Sequence, residues 1–92
     1  MKGNFTMKHQ NHEVMHQFIR KEILDTASQL NLTNEEVSER LGITSRNYSN
    51  IKAGKYSCSM ETMSSYIVNL CTDKTGFLER LEKAVKEAES KL

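Results

Sequence analysis

Proline and tryptophan are missing from this chain, and cysteine occurs only at Cys58 and Cys71, without the CxxC spacing of a metal or redox site. With no proline to interrupt a helix, helix ends fall to glycines and capping side chains. The two isolated thiols fit a reduced compartment. No stretch approaches the roughly 20 apolar residues that a membrane span needs, and no signal-peptide hydrophobic region stands at the N-terminus. We therefore expect a soluble, cytoplasmic protein with no membrane partner. Nothing resembles a nucleophile with its base, a glycine loop for phosphate or paired carboxylates in an apolar pocket. An enzyme is not expected, and no catalytic residue or cofactor is assigned. The chain shows no internal repeat or low-complexity linker, and its 92 residues leave room for one domain with one small core.

What is present concentrates between residues 32 and 63. Thr33 stands where an N-cap belongs, and Glu36, three residues on, completes a capping box. Val37 and Leu41 are i,i+4 apolar neighbours, and Gly42 follows where a left-handed C-cap residue belongs. Ile43 links to Thr44, a second N-cap, and the next segment ends at Gly54. This layout predicts two short helices joined by a tight glycine turn. On the second, Tyr48 and Ile51 fall together, while Ser45, Arg46, Ser49 and Asn50 occupy the opposite arc. Ser and Asn bond base edges, Asn suits adenine and Arg suits guanine in the major groove. Any solvated surface helix also carries such residues, so the flanking pattern decides.

That pattern, Leu32-Thr33-Asn34-Glu35-Glu36-Val37-Ser38-Glu39-Arg40-Leu41-Gly42-Ile43-Thr44, resembles the Cro/repressor type of helix-turn-helix domain. The likeness continues through Tyr48-Ser49-Asn50-Ile51-Lys52-Ala53-Gly54-Lys55 and Ser59-Met60-Glu61-Thr62-Met63, about half the chain, and its specificity lies in order and spacing. The resemblance implies an all-α, five-helix lambda repressor-like DNA-binding domain with an extended C-terminal helix. It implies a sequence-specific transcriptional regulator, a repressor, reading a palindromic operator in double-stranded DNA through the helix from Thr44 to Ala53. Ser45, Arg46 and Asn50 then fall at base-reading positions, and Ser49, on the same arc, is read as joining them. Asn34, Arg40, Thr44, Lys52 and Lys55 fall to the DNA backbone, Asn34 where a Gln often holds a phosphate. There are departures. Ser38 replaces the usual small Ala, Lys52 replaces a common acid, and the proline often found near Cys58 is absent.

The charge distribution agrees. The whole chain is +1, yet residues 40 to 60 carry Arg40, Arg46, Lys52 and Lys55 and no acid. Removing these four from thirteen basic residues leaves nine against twelve acids, a remainder of −3. Positive charge on the reading segment is what phosphate attraction requires; the competing reading is a chance cluster in a solvated loop.

The flanks supply the rest of the core. Met15, Phe18, Ile19, Ile23, Ala27 and Leu30 form an apolar stripe that predicts a helix over 13–30. Residues 1–11 show no period and are expected as a flexible arm, with the DNA-binding domain over 12–74. Ser59 caps a fourth helix carrying Met60, Met63, Ile67 and Leu70 inward, with Tyr66 or Cys71 at its edge. Residues 75–92 carry Leu78, Leu81, Val85, Ala88 and Leu92 in steps of three and four, widened by Phe77 and Ala84. Its first turns are expected to close the core and its later turns to pair two copies, with Leu81, Val85, Ala88 and Leu92 at the interface. The alternative is a protein-interaction module, such as an antitoxin or a modulator of another regulator, whose C-terminal helix docks a different protein partner. His9, His12 and His16 lie at i, i+3 and i+7, a spacing that would align three imidazoles. No carboxylate or thiol completes the set, so no metal is assigned.

Overall fold

The computed structural model describes residues 2–55 and 58–90 of the backbone and residues 13–55 and 58–90 of the side chains. Among the described residues five α-helices follow one another: α1 Lys2–Gln29, α2 Asn34–Leu41, α3 Ser45–Lys52, α4 Met60–Ser65 and α5 Lys74–Ser90. There is no strand among the described residues. Among the described residues no helix is long and apolar enough to cross a membrane.

Local capping chemistry sets the boundaries. Thr33 forms a reciprocal box with Glu36, its backbone N–H donating to Oε1 at 2.9 Å and its hydroxyl accepting from the Glu36 N–H at 3.1 Å. Those bonds hold the Glu36 carboxyl below its ordinary pKa. Thr44 and Ser59 accept from the N–H groups of Asn47 and Thr62, each at 3.1 Å. Asp73, which the sequence pattern did not mark, caps α5 by accepting from Gly76 at 2.9 Å.

One device ends the first three helices. Asn31, Gly42 and Gly54 take left-handed φ values of 55°, 70° and 74°. In each case the following residue donates back five positions: Leu32 to Ala27 at 3.0 Å, Ile43 to Ser38 at 3.0 Å and Lys55 to Asn50 at 2.9 Å. These are Schellman closures, in which glycine, or less readily asparagine, accepts the left-handed turn.

The helix start is where α1 departs from expectation. Its backbone is helical from Lys2, so residues 2–11 of the expected arm are continuous with the helix. No glycine or proline lies between Asn4 and His12 to stop it. The side chains of His9 and His12 fall outside the described residues, and no metal-holding cluster occurs among the described ones. At the other end Leu30 lies beyond the helix and is 37% exposed, so it leaves the stripe; Ile19, Ile23 and Ala27 are buried.

The core gathers Ile19 and Ile23 of α1, Val37 and Leu41 of α2, and Tyr48 and Ile51 of α3, with Leu70 and Phe77 beneath them. Side chains such as Ile23 and Leu70 contribute about 1.5–3 kcal/mol each on leaving water. The fourth helix keeps Met63, Ile67 and Leu70 against the core as expected and departs at Met60. Met60 follows its cap directly and is 72% exposed, while Thr62, Tyr66 and Leu70 turn inward. At Tyr66–Leu70 the helix widens to a π turn, closed by Cys71 donating to the Tyr66 carbonyl at 2.7 Å. The extra residue brings Tyr66, Leu70 and Cys71 all into the core. Cys58 and Cys71 are free and buried, and burial pushes the Cys58 thiol above its usual pKa.

A buried polar joint fixes α5 against α1 and the π turn. Glu22 of α1 accepts two bonds from the Arg80 guanidinium, at 2.6 and 2.9 Å, and one from the Tyr66 hydroxyl at 2.9 Å. Thr26 lies 3.1 Å from that hydroxyl. Gly76 leaves the room: a Cβ there would collide with the Asp73 carboxylate and meet Arg80 at 2.9 Å. Burial alone would raise the Glu22 pKa, but the bonds from Arg80 and Tyr66, with the charges of Arg80 and Lys21, outweigh it and hold the carboxyl low.

Two outcomes follow. Gly42→Ala should lower unfolding stability in urea by about 1 kcal/mol through backbone strain at positive φ, with open space around the new methyl, whereas Gly42→Asn should lose less. Because the folded Glu22 pKa is depressed, its stabilisation is fully present above the unfolded carboxylate value and is lost as pH falls through the lower folded value. Glu22→Gln should therefore flatten the acid limb of the thermal midpoint against pH.

Candidate nucleic-acid interface

The site is a pair of eight-residue helices, α2 and α3, separated by the left-handed turn at Gly42. Their crossing is close because the residue at the contact is small. Ser38 is buried, its hydroxyl donating to the Glu35 carbonyl at 2.9 Å and standing 3.4 Å from the Ser45 hydroxyl. The place where the resemblance implies an Ala is thus filled by a Ser whose polar atom is satisfied within its own helix turn.

α3 seats Tyr48 and Ile51 in the core, each 2% exposed. Burial raises the Tyr48 pKa, so the phenol is neutral at ordinary pH. On the other side Ser45, Arg46 and Ser49 are exposed and Asn50 is half-buried. Arg40, Thr44, Lys52 and Lys55 are exposed around this strip. Thr44 spends its acceptor on the Asn47 N–H and keeps its hydroxyl proton for an outside acceptor.

Two of the expected backbone-contacting residues hold one another. The Lys52 ammonium donates to Asn34 Oδ1 at 3.0 Å and stands 5.5 Å from the Tyr48 ring centroid. The bond ties the start of α2 to the end of α3 and leaves two ammonium protons for an anion.

Sequence reasoning missed the supports of this pair. Arg20 of α1 donates through Nε to the Ile51 carbonyl at 2.9 Å and through a terminal nitrogen to the Lys52 carbonyl at 2.6 Å. A fixed positive charge thereby closes the negative end of α3. Asn69, in the π turn, donates to the Arg40 carbonyl at 3.2 Å and closes the end of α2. Each partner lies about 30 positions away in sequence, and the only local signal is a basic residue bordering the apolar stripe of α1.

The expected pairing residues of α5 separate. Leu81 is half-buried against the core, Ala88 is 7% exposed and closed within the chain, Val85 is 41% exposed, and Leu92 lies outside the described residues. Helices α1 and α5 run alongside one another, with Glu13 and Glu87 lining one groove of about 470 Å³. No protein-family model, curated protein or solved structure matches this chain.

Replacing Arg20 by Ala removes the charged donor from both carbonyls at the end of α3, leaving Ile51 its bond from the Gly54 N–H at 3.0 Å and Lys52 to solvent. It should cost about 1–3 kcal/mol and speed amide exchange at the end of α3 more than in α2. Arg20→Lys should recover part of this, since one ammonium lacks the fork that reaches both carbonyls.

Proposed function

We propose that the chain is a sequence-specific double-stranded DNA-binding regulator with a lambda repressor-like five-helix domain, acting as a repressor by occupying an operator. The observation that carries this reading is the strip of Ser45, Arg46 and Ser49 with Asn50 on α3, ringed by exposed Arg40, Lys52 and Lys55 with no acid from residue 40 to 60. The segment offers base-edge donors and acceptors beside exposed basic side chains, on a helix whose other side is locked into the core. Arg46 and Asn50 carry base discrimination, and Ser45 and Ser49 add direct or water-bridged contacts. Asn34, Arg40, Thr44, Lys52 and Lys55 hold phosphates. Two copies on a palindrome place two reading helices about 34 Å apart. Such a regulator works in the cytoplasm, where free Cys58 and Cys71 stay reduced.

A protein-interaction module built on the same scaffold is the second reading. The groove between α1 and α5, floored by Val14, Phe18 and Ala84, favours it. It predicts retention of DNA without sequence preference.

Titration against the preferred duplex from a random pool and against a scrambled duplex separates the roles. Arg46→Ala should cost about 1–3 kcal/mol on the preferred duplex and little on the scrambled one. Lys55→Ala should weaken both alike and reduce the salt slope by about one. Equal losses on both duplexes for Arg46→Ala would contradict base reading.

A further inference from the structure

Folding divides the apolar stripe of α5 in two. Phe77, Ala84 and Ala88 are buried and Leu81 half-buried, while Leu78 and Val85 remain 62% and 41% exposed. Seven residues apart, they lie on one side of the helix, two turns from each other. The same strip carries Lys74 one turn before Leu78, Glu82 between the two apolar residues and Glu89 one turn after Val85, all exposed.

The order of signs selects an orientation. A second copy laid parallel on this strip sets Lys74 against Lys74 and Glu89 against Glu89, which is repulsive at both ends. A second copy laid antiparallel, about a two-fold axis between Leu81 and Glu82, sets each Leu78 against the other copy's Val85. In the same register each Lys74 meets the other copy's Glu89, so apolar and charged positions match together. Glu82 lies nearest the axis, where two copies bring like charges together, and its carboxylate is already paired with Lys86 at 3.6 Å. Lys74 gives one proton to the Cys71 carbonyl at 3.2 Å and keeps two.

We propose that two copies of this chain pair antiparallel through the Leu78 and Val85 strip of α5, with Lys74 of each against Glu89 of the other. This deepens the two-copy reading of the function, but it is measured without DNA. The surface differs from the sequence expectation in adding Leu78 and in giving up Ala88 to the chain's own interior.

Sedimentation equilibrium over a wide concentration range tests it. The parent chain should show a monomer–dimer equilibrium. Lys74→Glu and Glu89→Lys should each weaken it roughly tenfold, since two exposed attractions become repulsions. The double swap should restore it to within about twofold of the parent. Under mild oxidation Glu82→Cys, next to the axis, should yield a disulfide-linked dimer, and Val85→Cys, about 10 Å from its own copy along the axis, should not. A chain monomeric throughout, a dimer indifferent to the charge changes, or ready cross-linking of Val85→Cys with none of Glu82→Cys would each overturn the proposal. A monomer that still selects one DNA sequence would overturn this pairing alone. The expected dimer with no sequence preference would leave the pairing standing and remove the DNA reading.

Discussion

A carboxylate that is 5% exposed sits at the junction of three helices, and its satisfaction holds the arrangement together. Glu22 has both oxygens engaged, by Arg80 of α5 and by Tyr66 of the π turn. An ionised carboxylate is costly to bury unless paired and hydrogen-bonded, so a packing that misplaced α5 or the π turn would leave that charge uncompensated. The joint therefore specifies a geometry more than it adds net stability. The Tyr66 ring below it packs on Phe77, centroids 5.7 Å apart, and Phe77 packs on Phe18 at the same distance. Polar specification and apolar packing meet on the same residues.

From the same stretch of α1 the other end of the domain is set. Arg20 lies two residues before Glu22 and reaches the opposite way, to the last carbonyls of α3. The chain between Ile19 and Ile23 thus holds α3 through a guanidinium and α5 through a carboxylate while both isoleucines fill the core. Such a spine leaves α2 and α3 little freedom. Their mutual contact is fixed at Ser38, their ends by Arg20 and Asn69, and their outer edge by Lys52 on Asn34. What α3 shows to solvent is a rigid polar strip, the property that sequence reading of DNA requires.

How much of this was legible follows from the range of each interaction. Thr33, Gly42, Thr44, Gly54 and Ser59 mark helix ends through rules acting within five residues, and all five act as those rules predict. Tyr48 and Ile51 were readable as an inward face because α3 is short and regular. The joint burial of Tyr66, Leu70 and Cys71 was not, since the π turn at Tyr66–Leu70 adds a residue there and the Tyr66 hydroxyl finds its partner in a glutamate 44 positions earlier. Glu22 with Arg80, 58 positions apart, and Arg20 with Ile51, 31 apart, leave no periodic trace in one sequence. Lys52 was legible as a cation on a basic segment but not as the partner of Asn34. Ala88 fits a heptad and yet faces inward, because a repeat within one helix does not reveal which neighbour covers it.

The central claim is that the polar strip of α3 is the face that meets DNA. Amide shift mapping of the labelled chain, titrated with a short duplex at near-physiological salt, tests it most directly. The account predicts the largest changes at Ser45, Arg46, Ser49 and Asn50 with smaller ones at Asn34, Lys52 and Lys55, and any along α5 confined to the Leu78 and Val85 strip. Changes gathered on α5 or in the groove beside Phe18 and Ala84, with α3 silent, would contradict it.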